Sequence, residues 1–576
     1  MSALKWWQTA VFYQIYPRSF ADGNGDGIGD FAGMIERLDY LEDLGIDAVW
    51  LSPFYPSPQF DCGYDVSDYC AVAPEYGTLE DFQRFVQGAH QRGIRVIVDW
   101  VPNHTSDQHP WFLEARSHRR SPKRDWYVWR NGRDGSPPNN WCSAFGGSAW
   151  QYDPDSQQFY YHYFFKQQPD LNWRNPAVKE AMFDTIRFWL DQGADGFRLD
   201  AIGTIFEDSE ERDHDETLSQ AELHRVLRRA RSVEEREVAW RMMEKLYARQ
   251  VEQPEVHALM RELRSLVDGY PDCVLVGETE GTEYYGNGHN ELHLVFNFPL
   301  MEADHLTPQW VRRNQSQRLG QLPPGAWPCN TLGNHDRQRI YSKYGDGRND
   351  LAFAKLSLAL MLTLRGTPFL YYGEEIGMTD LLLDDIAQFR DNLGLWYYNM
   401  EREMGLRPQE AVRCAARFGR DKNRTPMQWA DAPNAGFSPP GVTPWLPVNP
   451  NSAQGVSVAS QRADPESLLN FYRRLLRLRK QTPALVTGDY EPLLQESPDC
   501  LAFLRSCPSG QSYLVVLNMS GEPQTIRPEP GSDAGRLLFS SGEREHHVNL
   551  APMELTPQEI VIVELPHPRR KEPMET

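Results

Sequence analysis

Four stretches, each ending a run of β-type residues, carry polar groups of the kind that cleave a sugar–sugar bond: DWVPNH (Asp99 to His104), GFRLD (Gly196 to Asp200), VLVGE (Val274 to Glu278) and GNHD (Gly333 to Asp336). A single acid at the end of a strand commonly caps the next helix; four in order ask for a shared purpose. Breaking a glycosidic bond with two carboxyl groups needs one ionised oxygen to attack or shield the anomeric carbon and one protonated carboxyl to serve the departing oxygen. Asp200 follows Arg198 by two residues on a strand, so both side chains point to one face and the guanidinium keeps the carboxylate ionised, as a nucleophile requires. Glu278 ends an apolar strand, where partial desolvation would raise its pKa toward that of an acid catalyst. His104, His335 and Asp336 add hydrogen-bond partners for sugar hydroxyls, and Asp336 a third carboxyl charge beside the pair.

Positioning such groups requires a scaffold that gathers strand ends. The first two thirds of the chain contain eight short apolar runs at 11–16, 48–52, 96–100, 196–199, 274–277, 294–298, 330–333 and 367–372, separated by helical patterns such as 34–44, 79–92, 178–192, 256–267 and 352–363. Alternating strands and helices predict an α/β fold, a (β/α)8 TIM barrel, with the catalytic groups at the carboxyl ends of its strands. The barrel is expected in two parts, 1–104 and 173–487. Residues 105–172, rich in Trp, Tyr, Pro and Gly, read as a small domain inserted after the third strand. A charged helical insertion at about 207–253 reads as an exposed hairpin, and 381–418 as a further helical stretch. Alternating strands from 488 to 566 predict a C-terminal antiparallel β-sandwich, and 567–576 a disordered tail.

With 59 basic against 80 acidic residues and a formal charge of -21, the 576-residue chain is a poor match for nucleic acid. The N-terminus lacks the pattern of a secretory leader and no apolar run is long enough to span a bilayer, so a cytoplasmic protein without a membrane partner is expected. Eight cysteines without metal spacing or a CxxC pair point to reduced thiols. DGNGDGIGD places Asp22, Asn24, Asp26, the Ile28 carbonyl and Asp30 at alternate positions, which suits a hard cation, although no Glu closes an EF-hand loop and a plain Gly/Asp turn is the alternative.

The four stretches, in this order and spacing, resemble the signature regions of glycoside hydrolase family 13, the α-amylase family, over nearly the whole chain. QPDLN (Gln168 to Asn172), RTPMQW (Arg424 to Trp429) and NAGFS (Asn434 to Ser438) are similar to the oligo-1,6-glucosidase and α-glucosidase branch. The resemblance implies that Asp200 is the nucleophile, Glu278 the acid/base and Asp336 the transition-state stabiliser. It implies that Asp61, Tyr64 and Arg420 close the pocket behind one terminal glucose, with His104, Phe145, Phe164, Gln168, Arg198 and His335 touching the same sugar. It favours a structural calcium or magnesium in the 22–30 loop and no cofactor in catalysis. Ala201 stands where the branch commonly has Val in enzymes preferring α-1,6 linkages, which leans the expectation toward α-1,4 substrates such as maltose. The expected activity is therefore a retaining, exo-acting α-glucosidase on small oligosaccharides, its carboxyl groups about 5 to 5.5 Å apart. A transglucosylase or disaccharide isomerase shares the first half-reaction, and a non-catalytic transporter heavy-chain relative shares the barrel. Oligomeric state is not legible from the chain.

Overall fold

The computed structural model describes residues 4–566 other than 231 and 509. Eight strands, Phe12–Ile15, Ala48–Leu51, Arg95–Trp100, Gly196–Leu199, Val274–Gly277, Leu294–Val295, Cys329–Thr331 and Thr367–Tyr371, form one sheet. Every pairing in it is parallel, and the first strand also pairs with the eighth, Phe12 opposite Phe369. The sixth strand is shorter than its apolar run because Phe298 already starts the helix Phe298–Met301, whose second residue is Pro299. Between the sixth and seventh strands the described residues form no backbone ladder, and buried amides bridge the seam instead. There Asn297 donates to Asn314 and Asn330 at 2.8 and 3.1 Å, and Gln315 donates to Asn314 at 3.1 Å.

Two-residue periodicity sorts each strand into inward and outward side chains. At the lower levels the inward positions are apolar: Phe12, Ala48, Trp50, Ile97, Val274, Val276, Leu294, Cys329 and Phe369 pack into one cluster inside the barrel. One level higher the same columns become polar, with Gln14, Asp99, Arg198 and Asp200 buried. The site is thus the top layer of the barrel core. Outside, helices bury one stripe each. In Leu79–Gln91 the buried residues are Phe82, Phe85, Val86 and Ala89, and Thr78 with Asp81 forms a capping box at its start.

The 105–172 insertion contains a three-stranded antiparallel sheet with Gln158–Tyr161 between Trp129–Arg130 and Trp150–Asp153. It is tied to the barrel mouth by a bridge between His104 and Asp170. The charged insertion forms two helices, Gln220–Arg229 and Val233–Tyr247, around a small core of Leu223, Met243 and Leu246. Buried amides fasten it to the neighbouring insertion: Gln220 donates to the Ser143 and Ala144 carbonyls at 3.0 and 2.8 Å, and Gln250 to the Cys142 carbonyl at 2.9 Å. The helical stretch 381–418 resolves into Asn392–Glu403 and Pro408–Phe418.

The C-terminal domain has a six-stranded antiparallel sheet faced by a two-stranded one, Gln524–Ile526 with Met553–Leu555. Helices Pro308–Gln321 and Pro483–Thr487 pack on its strand Cys500–Ser506, and the end of helix Asp350–Thr363, buried along its whole second half, meets the same seam. The carbonyls at that helix end meet two buried cations: Arg479 donates to the Leu362 carbonyl at 2.6 Å, and Arg505 donates to that of Thr363. The segment 567–576, expected to be disordered, lies outside the described residues.

Candidate active site

Asp99 and Arg198 are cross-strand partners in the third and fourth strands, so register alone brings them together. Arg198 then holds three acids at once: its Nη1 lies 2.7 Å from Asp99 Oδ1 and 2.6 Å from Asp200 Oδ1, and its Nη2 lies 2.8 Å from Glu278 Oε1. Gly196 makes the close strand approach possible, since a Cβ there would stand 2.1 Å from the Val274 carbonyl oxygen. After Asp200 the chain turns through Ala201, at φ 43 and ψ 43 in the left-handed region, and this aims the Ala201 N–H at Glu278 Oε2, 2.8 Å away.

Burial pushes the Asp200 carboxyl well up, against the pull of Arg198, and the neighbouring Glu278 and Asp99 charges add to the rise. Asp99 moves for the same reason, burial, to about 6. Glu278 is partly covered, as expected for an acid ending an apolar strand, but less so than Asp200. Its side chain is 23% exposed against 10% for Asp200, because the chain end of the fifth strand opens into the cavity while Asp200 sits beneath it. One guanidinium facing both Asp99 and Asp200 links the titration of those two carboxyl groups.

Asp336 stands on the other side. Arg424 Nη2 is 2.6 Å and Arg420 Nη1 3.5 Å from its Oδ1, and His335 Nε2 is 3.3 Å from its Oδ2. Burial opposes ionisation there, and the Arg424 and Arg420 charges outweigh it and hold the carboxyl far below the usual range. The His335 ring is neutral, since burial drives its pKa well down. Its Nδ1 lies 2.8 Å from the Gln14 amide nitrogen and its Nε2 2.5 Å from the Tyr64 hydroxyl, which donates to Asp99 Oδ2 at 3.1 Å.

The end of the cavity is closed by charge. Arg420 Nη2 lies 2.5 Å from Asp61 Oδ1 and 2.7 Å from Asp391 Oδ1, and its Nε lies 3.0 Å from Asp391 Oδ2. Asp391 caps the helix Asn392–Glu403 and is fully buried; Arg420 outweighs that burial and keeps it ionised, at about 2. Gln168 donates to Asp61 Oδ2 at 3.0 Å and sits 2.9 Å from His104 Nε2. Burial lowers His104 to about 3, so it too is neutral.

A cavity of about 420 Å³ is lined by Asp61, Tyr64, His104, Phe145, Phe164, Asp200, Ala201, Glu278, Asp336 and Arg420 among the residues singled out from sequence. Arg198, Gln168 and His335 do not line it. They are completely buried in the layer behind, where they hold the residues that do. Sequence reading missed Asp391, which carries no motif, and Tyr397, Phe418 and Leu393, which reach the cavity from the 381–418 helices. Arg424, fully buried, stands out in sequence only as part of RTPMQW; a basic residue in that conspicuous run is the available signal.

In the 22–30 loop the acidic oxygens face the loop's own backbone. Asp22 accepts from the Gly25 and Gly27 N–H groups at 2.6 and 2.9 Å, Asp26 from Ile28 N–H at 2.8 Å, and Asp30 from Asn24 and Gly33 N–H at 2.9 and 2.7 Å. Among the described residues no group of three or more His, Cys, Asp or Glu is arranged to hold a metal ion. No described helix is long and apolar enough to cross a membrane.

Comparison with known proteins gives a consistent picture. The family model for the α-amylase catalytic domain matches residues 14–488. The chain is 38% identical over 577 residues to an oligo-1,6-glucosidase of Parageobacillus thermoglucosidasius, covering 96% of this chain and 98% of that one. It is 37% identical over 597 residues to an α-glucosidase of Pediococcus pentosaceus, covering 98% and 100%. Among solved structures, a trehalulose synthase from Pseudomonas mesoacidophila superposes with a TM-score of 0.87 at 38% identity, covering 98% of this chain and all of that one.

Proposed function

This chain belongs to the α-amylase family and is a glycoside hydrolase of its glucosidase branch, and from that premise we propose that it removes single glucose units, with retention, from the non-reducing ends of short α-1,4-linked glucosides. The observation that supports the exo-acting part is the buried Asp61–Arg420–Asp391 cluster, whose Asp61 and Arg420 line the same cavity as Asp200 and Glu278 and would close it behind a single sugar.

In the first step an Asp200 oxygen attacks the anomeric carbon while Glu278 gives its proton to the departing oxygen; the glycosidic C–O bond breaks and a glucosyl ester forms. Asp336, kept ionised by its arginines, places negative charge beside the flattened, cationic ring. In the second step Glu278 takes a proton from water, the hydroxide oxygen bonds to the anomeric carbon, and Asp200 is released. Ala201 lines the cavity next to the leaving group, and its small side chain supports the α-1,4 reading. Rates on maltose, isomaltose and sucrose, with NMR of the first-formed anomer, test the proposal: faster turnover of isomaltose removes the linkage assignment, and β-glucose removes retention.

One observation favours a second reading, glucosyl transfer or isomerisation. Phe145, Phe164, Tyr397 and Phe418 all face the cavity, an apolar wall that keeps water from the ester, and a similar enzyme, solved with its substrate sucrose, is a trehalulose synthase. New disaccharides rather than glucose in a maltose or sucrose digest would select it.

The 22–30 loop is proposed as a structural calcium or magnesium site on its donor chemistry, with Asp22, Asn24, Asp26, the Ile28 carbonyl and Asp30 as oxygen donors remote from the acids. Elemental analysis and a melting temperature unmoved by chelator would reduce it to a turn. The eight free thiols support a reducing, cytoplasmic setting.

A further inference from the structure

A second cavity adjoins the catalytic one. Met301 and Arg337 line both, and the second is the larger, about 640 Å³. One wall of that cavity carries Trp310, on the helix Pro308–Gln321, and another carries Trp240, on the helix Val233–Tyr247 of the charged insertion.

Trp240 lies outside the described core of its helix pair. The buried stripe of that helix runs through Ala239, Met243 and Leu246, and Trp240 falls off it, 58% exposed. An indole left in water next to a cavity costs solvation without contributing to the hairpin core, and a flat aromatic face is a good partner for the apolar face of a pyranose. The polar groups around it are of both signs: Glu302 and Asp304 face the same space as Arg313 and Arg337, while Lys343 is engaged by the Met301 carbonyl. Such a mixture of donors and acceptors suits neutral hydroxyls better than a phosphate.

We propose that this second cavity receives the reducing-end glucose units of oligosaccharides longer than a disaccharide, and that Trp240 stacks on one of them and sets the chain-length preference. The inference rests on the glucosidase reading above. It makes the insertion a substrate-binding element.

The test is the chain-length profile of kcat/KM, from maltose to maltoheptaose with an aryl α-glucoside as the short reference, for the full-length enzyme and for Trp240→Ala and Trp240→Phe. Wild type should prefer maltotetraose to maltose. Trp240→Ala should lose about fivefold to tenfold on maltotetraose and longer chains while staying within about twofold on maltose and the aryl glucoside, and Trp240→Phe should recover most of the loss. An active enzyme whose profile falls from maltose onward, or is unchanged by Trp240→Ala, overturns this inference alone. So does an equal loss on every substrate, or a phosphorylated disaccharide outperforming maltotetraose. A wild-type enzyme inert toward the aryl glucoside overturns the glucosidase reading and this inference together.

Discussion

The blocked end of the catalytic cavity and its open end are built by different means. At the blocked end Asp61, Asp391 and Arg420 are buried and mutually paired, with Gln168 and His104 locked behind them. At the open end the insertion shows Val226, Val238 and Trp240 to solvent at 40%, 48% and 58%, and among the described residues its helices close on a small core of Leu223, Met243 and Leu246. A buried charge cluster cannot change one member without stranding another. A thinly packed hairpin can change most of its surface at little cost. On the proposed function, the donor sugar is read by the inflexible end, and whatever follows it by the adaptable one.

The sharpest way to break this picture is at the acids. Asp200→Asn should lower turnover of an aryl glucoside by about 10⁴-fold or more, and retained activity would remove Asp200 from the reaction. The same variant should melt higher at neutral pH. Burial raises the folded-state pKa of Asp200, so the stability this group contributes is complete below its unfolded value of about 4 and is lost as pH rises through the folded one. The gap in melting temperature should be absent near pH 4 and widen toward pH 8. A gap independent of pH would mean that the carboxylate is not destabilised where it sits.

Next in size is Asp391→Asn. It leaves Asp61 as the main counter-charge of Arg420 and loosens the wall behind the terminal glucose, without touching the carboxyl pair. A fall of about 100-fold in kcat/KM, within the roughly 2 to 5 kcal/mol that follows from disturbing a buried charge pair, is expected. Products longer than glucose should begin to appear from maltoheptaose. Unchanged release of glucose alone would show that the blocked end does not depend on this cluster.

The two ends also differ in how far they could be read from sequence. Strand patterns gave the barrel order and the residues at strand ends, because period-two alternation and apolar runs are local, and Asp200, Glu278 and Asp336 all fell on one cavity. Asp391 was not legible. It is an ordinary helix cap in sequence, and its pairing with Arg420 depends on two loops meeting in space. Depth was illegible as well: Arg198, Gln168 and His335 lie behind the wall and Glu278 lies more open than Asp200, since which of two adjacent acids is covered depends on neighbours from other strands. The hairpin was legible as helical and exposed, and its start just past Asp200 already put it near the second-sugar site; the amides that pin it to residues 142–144 depend on tertiary contacts and were not legible.

The smallest expected effect belongs to Ala201, which stands where the two ends meet. Its left-handed backbone suits a small side chain and strains a β-branched one, so Ala201→Val should cost about 1 to 3 kcal/mol of stability. Its N–H bonds Glu278 and its Cβ lines the cavity, so the added methyl groups crowd the leaving sugar rather than the donor. The ratio of maltose to isomaltose turnover should then fall several-fold while the rate on a small aryl glucoside changes little, because a flexible α-1,6 bond can swing its second sugar away from the added bulk. If the ratio holds and only stability falls, linkage choice does not reside at residue 201, and the open end is left to the insertion and the helices 392–403 and 408–418.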